Sequence, residues 1–558
     1  MENSSIVGDR DVGGLVGGKY NSTLTLSNSY YNVDNVTING AVHMTLGGIY
    51  NKQFTDWKTG NKTALILDDY FTKDGSNNYL VNASNIEFLP AFVFATGTKF
   101  KLVENIDLST ISHNDSTAGY LKELSLKEFK GTFDGNGKTL SNLNIDQLFN
   151  GDIGFFGRAI GATISNLTFS TPTLKGYYNV GTLAGYADKT NVDNVDVTNL
   201  TITGDSTLPS GKIGGLIGYN KVSSGSGYTL QNSQVSGTIN GAGSYIAGLV
   251  GSNEQVAISN SSANVAVSST TGDNVAGLVG YNYGANITNS SSTGNVTATG
   301  RNYVGGLIGY NTGIGGTGSL ISGSFSTGKV IGASYIGGLI GFNTAYSTIN
   351  GSYATGDVEA TGYFVGGLVG QNTSYSNIGN TTASYATGNV TGAYYVGGLV
   401  GYNTNSTVTN SYTGIKTSGV ITTKAGTVTG TTTTGYVGGL IGQNSSGAIS
   451  GSTASGDVVS SGDYTGGLIG QNSSSTISNS NSTISNSNST GNVTATGKNY
   501  VGGLVGYNSS SAISGTTSAS GNVVGGNSTG GLVGYNSSST ITGATASGIV
   551  NGTSYVGG

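Results

Sequence analysis

The chain has 558 residues, with 97 Gly, 3 Pro, no Cys, one Trp and only 9% charged residues, against about 25% in an ordinary globular protein. Glycine falls short of collagen's one third and proline is nearly absent, while plentiful Val, Ile and Thr and 33 Tyr exclude linker-like disorder and favour strands. A net charge of −5 without a basic stripe argues against nucleic acid as a partner, and zero Cys excludes disulfides and thiolate metal sites.

No transmembrane helix is expected, because no apolar run reaches the ~18 residues a span requires. The opening "ENSSIVGDRDVGGLVGG" lacks the regions of a secretion signal and already holds a glycine-rich motif at Val12–Gly18. Residues 1–50 read as the end of a preceding repeat array, and the chain as a piece of a longer polypeptide.

Residues 51–152 differ in composition. Asn51 to Lys138 alone holds 21 of the 49 charged residues, with Trp57 and Pro90. "SNIEFLPAFVFA" from Ser84 reads as a short helix capped by Ser84, and "KFKLVENIDLS" from Lys99 as a strand. The segment is expected to form elaborated coils with an excursion packed over them, as a cap or a binding protrusion.

From residue 153 to 558 one unit repeats. Its signature is "YVGGLVGYN" at Tyr395, "YVGGLIGYN" at Tyr303, "YIGGLIGFN" at Tyr335 and "YVGGLIGQN" at Tyr436. The motif leucines run from Leu183 through Leu216, Leu307, Leu399 and Leu504 to Leu532, mostly 28 to 33 residues apart. Longer gaps carry an insertion at Lys416–Thr434 and a duplication at Ser475–Thr490, as loops on a repeat scaffold do. Each unit has three short β-branched runs bounded by Gly, Asn or Ser, and sustained helical periodicity is absent. Propellers need four strands per blade and close at about eight blades. The pattern therefore predicts an all-β solenoid of stacked three-strand coils of about 28–33 residues.

In such a stack Leu399 and its equivalents form an inward column. Gly397 and Gly398 are expected to bend a corner and Gly401 to leave room beside Leu399. Asn220, Asn311, Asn403 and Asn508 should line one edge, with Asn403 closing a left-handed turn and its amide joining a ladder. Tyr402 should sit in a flat column with Phe342, Gln371, Gln443 and Gln471.

"GGLVGYN" and "GGLIGYN" resemble the GLUG motif of large bacterial and archaeal surface proteins, including filamentous-haemagglutinin-like adhesins. The resemblance covers about three quarters of the chain, with "FKGTFDGNGKTLSNLNI" at Phe129 similar to the lead-in of such arrays. It implies a right-handed parallel β-helix that serves display or adhesion, without implying an activity.

No catalytic, cofactor-binding or metal-ligating residue is expected. The two histidines, His43 and His113, form no H-E-x-x-H pair, and Ser without a His partner has no base. Asp357, Glu359, Asp457 and Asp463 are too scattered for a glycosidase pair. "DGNG" at Asp134 reads as a turn rather than a calcium loop. N-x-S/T sequons such as Asn295, Asn389, Asn492 and Asn536 would accept glycans in a secreted chain, yet this composition also generates them by chance. Thr297/Thr299 and Thr494/Thr496 resemble fragments of an ice-binding threonine array.

The expectation is a non-enzymatic extracellular or cell-surface adhesin shaft or display scaffold. Its partners would be host or neighbouring-cell glycans or proteins, with end-to-end self-association. A carbohydrate-active enzyme or glycan-binding module is the alternative, and an ice-binding solenoid the lesser one. Specific recognition is expected in Asn51–Lys138 or Lys416–Thr434.

Overall fold

The computed structural model describes residues 4–8, 14–16, 28–92, 96–111, 126–147, 151–176, 178–204, 211–417, 420–474 and 483–558. His113 lies outside them, as do parts of Val12–Gly18, Lys416–Thr434 and Ser475–Thr490. The chain divides into two compact units, Met1–Ala266 and Val267–Gly558.

Unit 2 is a parallel β-solenoid. One coil comprises the strands Ile336–Gly337, Ile340–Thr344, Thr348–Asn350, Tyr353–Ala354 and Val358–Ala360. Turns thus divide the three sequence segments into five short strands. Each pairs in parallel with its equivalent in the next coil: Ile340 with Val369, Ile349 with Ile378, Ala354 with Ala386, Val358 with Val390. Like residues therefore sit above like residues at one strand spacing, about 4.8 Å. A single coil leaves its apolar rung uncovered on both sides, so burial is shared between neighbours.

The interior consists of aliphatic columns. Leu307, Leu339, Leu368, Leu399, Leu440, Leu468 and Leu504 are all fully buried, and in unit 1 Leu183, Leu216 and Leu249 are too. The inward assignment of Leu216, Leu307, Leu399 and Leu504 holds.

The glycines act differently from expectation. Among the motif glycines Gly397, Gly398 and Gly401 none has positive φ; the left-handed residue of this corner is the tyrosine before them, Tyr395 at φ 49°. A Cβ on Gly397 would lie 1.9 Å from the Val400 carbonyl oxygen, and one on Gly398 2.2 Å from the Gly439 oxygen. Gly401 makes room for the backbone of the preceding coil, since its Cβ would lie 2.4 Å from the Val365 nitrogen. Close backbone approach explains the glycines.

Unit 1 begins with small pairings, Ser4–Ile6 parallel to Val36–Ile38 and Tyr31–Asn32 parallel to Gly48–Ile49. A helix, α1 (Asn51–Thr59), follows; the sequence reading missed it because only Phe54 and Trp57 mark an apolar face. The Asp34 carboxylate accepts its first backbone N–H at 2.7 Å, a Lys52–Asp56 pair spans one turn, and the Gln53 amide donates to the Phe88 carbonyl at 3.0 Å. The expected helix near Ser84 is a 3-10 helix over Ile86–Phe92; the Ser84 hydroxyl donates to Asn82 Oδ1 instead of capping it. The single strand expected from Lys99 is two, Lys99–Leu102 and Ile106–Asp107.

Coils of unit 1 start with Tyr79–Val81, parallel to Lys99–Leu102, itself parallel to Thr132–Ser141. Their interior is phenylalanine-rich. Phe100, Phe129, Phe133, Phe155, Phe156 and Phe169 are each at most 2% exposed, and Phe129 stacks on Phe156 at 4.6 Å. Phe71 joins Phe92 to Phe100 by edge contacts of 6.0 and 5.6 Å, tying the 3-10 helix to this core. "DGNG" is a tight turn within Thr132–Ser141, where Asp134 Oδ1 accepts the Asn136 N–H at 2.9 Å and Asn136 is left-handed at φ 52°.

Candidate functional site

The repeated polar residues line up into ladders. In unit 2 Asn282, Asn311, Asn343, Asn372, Asn403, Asn444 and Asn472 are fully buried. Each carboxamide donates Nδ2 to Oδ1 of the next, at 2.8–2.9 Å. The second N–H of several turns back on its own coil, from Asn403 to the Ser406 carbonyl at 3.0 Å and from Asn444 to that of Gly447 at 2.7 Å. Asn403 is thus interior, in the strand Val400–Thr404, rather than at a turn; the left-handed residue is Asn405. In unit 1 Asn220 donates to Asn253 at 3.1 Å, and its register partner on the other side is Ala187, so its Oδ1 has no partner among the described residues.

Aromatic rings form further columns. Tyr303, Tyr335, Phe364, Tyr395, Tyr436, Tyr464 and Tyr500 follow one another with centroids 4.6–5.3 Å apart. Tyr303, Tyr335, Phe364, Tyr395 and Tyr500 adopt φ of 49–61°, a conformation that costs about 1–2 kcal/mol for a residue with a Cβ. Burial raises the hydroxyl pKa of Tyr303, Tyr395, Tyr436 and Tyr464. A second column, Phe325, Tyr353, Tyr385 and Tyr412, is nearly flat, with interplanar angles of 3°, 4° and 2°. Tyr402 stands in the expected column, in register with Gln371 and Gln443, which continue to Phe342 and Gln471, and its ring is tilted 46° to Tyr395 of the neighbouring aromatic column.

Charged residues missed by the sequence reading converge in unit 1. Three adjacent columns are Asp152–Asn179–Lys212, Arg158–Tyr186–Tyr219 and Asp188–Lys221–Glu254. The Arg158 guanidinium lies 4.3 Å from the Tyr186 ring centre and 3.2 Å from Asp152, and the Lys212 ammonium 3.0 Å from the Tyr219 ring centre. Burial pushes the Asp152 carboxyl up against the pull of Arg158, the Tyr186 hydroxyl up to about 12 and the Lys212 ammonium down to about 8. Tyr219 is raised by burial and then by the Glu254 carboxylate. The available signal was the 33-residue spacing of Asp188, Lys221 and Glu254. Acids, bases and phenols interleave here as internal partners, the pattern that holds coils in register.

The other candidates stay apart. The His43 carbonyl accepts from the Tyr31 hydroxyl at 3.0 Å, and His43 is the one histidine among the described residues. Asp357 and Asp457 accept the backbone N–H groups of Asn389 and Asn492 at 2.8 Å, while Glu359 pairs with Lys329 at 2.6 Å. Thr297 is registered with Ile331 and Thr494 with Val459 and Val524, so no threonine lattice forms there.

The GLUG motif matches four stretches of unit 2, residues 271–297, 332–359, 392–414 and 433–459. The chain carries GLUG repeats. Each matched stretch begins ahead of a "GGL" core, "AGL" in the first, and includes a Leu rung (Leu278, Leu339, Leu399 or Leu440) and an Asn ladder position (Asn282, Asn343, Asn403 or Asn444). Halomucin from Haloquadratum walsbyi is 34% identical over 96 residues, covering 16% of this chain and 1% of halomucin. The match thus spans a very small part of that relative. No solved structure matches the chain significantly.

Proposed function

We propose that this GLUG-repeat chain is a non-enzymatic extracellular or cell-surface shaft that displays or mediates adhesion, with glycans or proteins of host or neighbouring cells as partners. The observation carrying this reading is the Asn ladder from Asn282 to Asn508. Amide, hydroxyl and glycine positions repeated in the sequence are spent on joining coil to coil. Similarity to halomucin, a GLUG-type match and 9% charged residues support a repeat protein at the surface. Labelling intact and permeabilised producer cells with an antibody to the repeats tests the location; signal only after permeabilisation contradicts it.

The rival reading is a carbohydrate-active enzyme, whose place would be the Asp152, Arg158, Lys212 and Tyr219 columns. Incubating the chain with a polysaccharide panel tests it, and product formation lost in Lys212→Met would favour the enzyme.

A further inference from the structure

The corner after the Asn ladder position is made in most coils by small left-handed residues, Asn405, Ser446, Ser510 and Ser538, at φ of 48–55°. Two consecutive coils differ. Their corners are one residue longer, as the pairings of Asn372 with Asn403 and of Asn377 with Thr407 show, and they present Tyr346 and Tyr375 at φ 62° and 63°. Both rings are outward, 50% and 61% exposed, and stacked at 5.5 Å and 14°. The positions of Asn405 and Ser446 are held in these two coils by Ala345 and Ser374, also left-handed at φ 56° and 57°, so each tyrosine is the added residue of its corner and other coils turn without it. They sit in a backbone conformation that is unfavourable for a bulky side chain.

Beyond Tyr375 the column drops to small residues. The step leaves a depression of about 260 Å³ lined by Tyr375, Asn377, Asn405, Thr407, Ser446 and Ala448. Tyr346 covers the Tyr375 ring from the preceding coil, so the opposite face of the ring fronts the depression, which belongs to the following coils. The Thr407 hydroxyl donates to Asn377 Oδ1, leaving Asn377 Nδ2 and the whole Asn405 carboxamide without a partner among the described residues. No lining side chain is charged.

We infer that this step binds one neutral hexose unit of a polysaccharide. The C–H-bearing face of a pyranose is complementary to the electron-rich face of Tyr375. Its hydroxyls match the Asn377 and Asn405 amides and the Thr407 hydroxyl, convergent polar groups of the kind that orient a ligand. Acidic sugars lack a cationic partner here. The inference rests on the adhesive reading only for where such a sugar is met. It also places recognition away from Asn51–Lys138 and Lys416–Thr434.

Calorimetric titration of the full chain with cellohexaose, maltohexaose, a mannohexaose and a galacturonate hexamer tests it. The chain is made in a non-glycosylating host, because Asn405 begins a sequon. At least one neutral hexamer binds and the uronate does not. Tyr375→Ser weakens binding by roughly 10-fold while melting as the parent does, because the exposed ring supports no core and the adjoining Ser374 already holds the same left-handed conformation. Tyr375→Phe keeps most of the affinity. Asn405→Ser, a second corner-compatible variant, also weakens binding and carries the test if Tyr375→Ser does not fold. Absence of binding by every neutral hexamer, or unchanged affinity in the folded variants, overturns the site. Intact-cell labelling is unaffected by that failure, so the two readings fall separately.

Discussion

Asn403 donates its Nδ2 to Asn444 Oδ1 at 2.8 Å while its own Oδ1 accepts from Asn372 at 2.9 Å. The three belong to successive coils and are all fully buried. Asn403→Leu leaves the Asn372 donor and the Asn444 acceptor unsatisfied, each at about 1–3 kcal/mol. Asn403→Asp and Leu399→Asp each bury an uncompensated charge and should cost several kcal/mol. Hydrogen exchange read by mass spectrometry should show lost protection centred on Val369–Ser445; unchanged protection in Leu399→Asp means the column is not interior.

Gly306 and Ser326 make a paired test. The Ser326 hydroxyl is buried without a partner and faces Gly306, whose Cβ would lie 2.2 Å from it and 2.1 Å from the Gly338 oxygen. The register partner of Ser326 is Ala354. Ser326→Ala should stabilise by about 1 kcal/mol, relieving an unsatisfied hydroxyl. Gly306→Ala should destabilise by several times that, because the opposing atoms include backbone. By contrast Gly497→Asn, at φ 71° with open space around it, should cost no more than about 1 kcal/mol. Denaturant midpoints decide the order of the three.

The tyrosine column predicts an alkaline weakness. Tyr303, Tyr395, Tyr436 and Tyr464 hold their protons more tightly folded than unfolded. The unfolded chain therefore loses protons first, and stability that is full below pH ~10 falls as pH rises through the folded values. Replacing all four by Phe should flatten melting temperature against pH between about 9.5 and 11.5. A parent that melts identically across that range contradicts the assignment.

Sequons divide by burial. Asn295, Asn389 and Asn492 are exposed, whereas Asn372, Asn444, Asn472 and Asn508 are buried ladder members. A glycan on a ladder Nδ2 would replace one of its two N–H donors, which in Asn444 bond the next coil and its own turn, inside a fully buried column. In a glycosylating host, site mapping should find occupancy confined to outward asparagines such as the first three. Occupied Asn444 or Asn472 in folded protein would refute the ladder.

The repeat alone determined the stacking, the inward Leu column and the Asn ladder, because in-register coils place identical residues one strand spacing apart. It did not reveal which backbone positions are left-handed. Propensity points to Gly397 for the corner, since a left-handed tyrosine is costly, and only the approach of the Val400 oxygen to Gly397 and the stacking of Tyr395 on its neighbours assign the bend to the tyrosine. Helix α1 was illegible because two apolar residues in nine give no period; Asp34, Asn28 and Phe88, distant in sequence, hold it. The charged columns of unit 1 and the step beside Tyr375 were likewise set by tertiary register. Residues some 30 positions apart become neighbours only once the coils are wound, and a one-residue lengthening of a corner gains meaning only against the coil that lacks it.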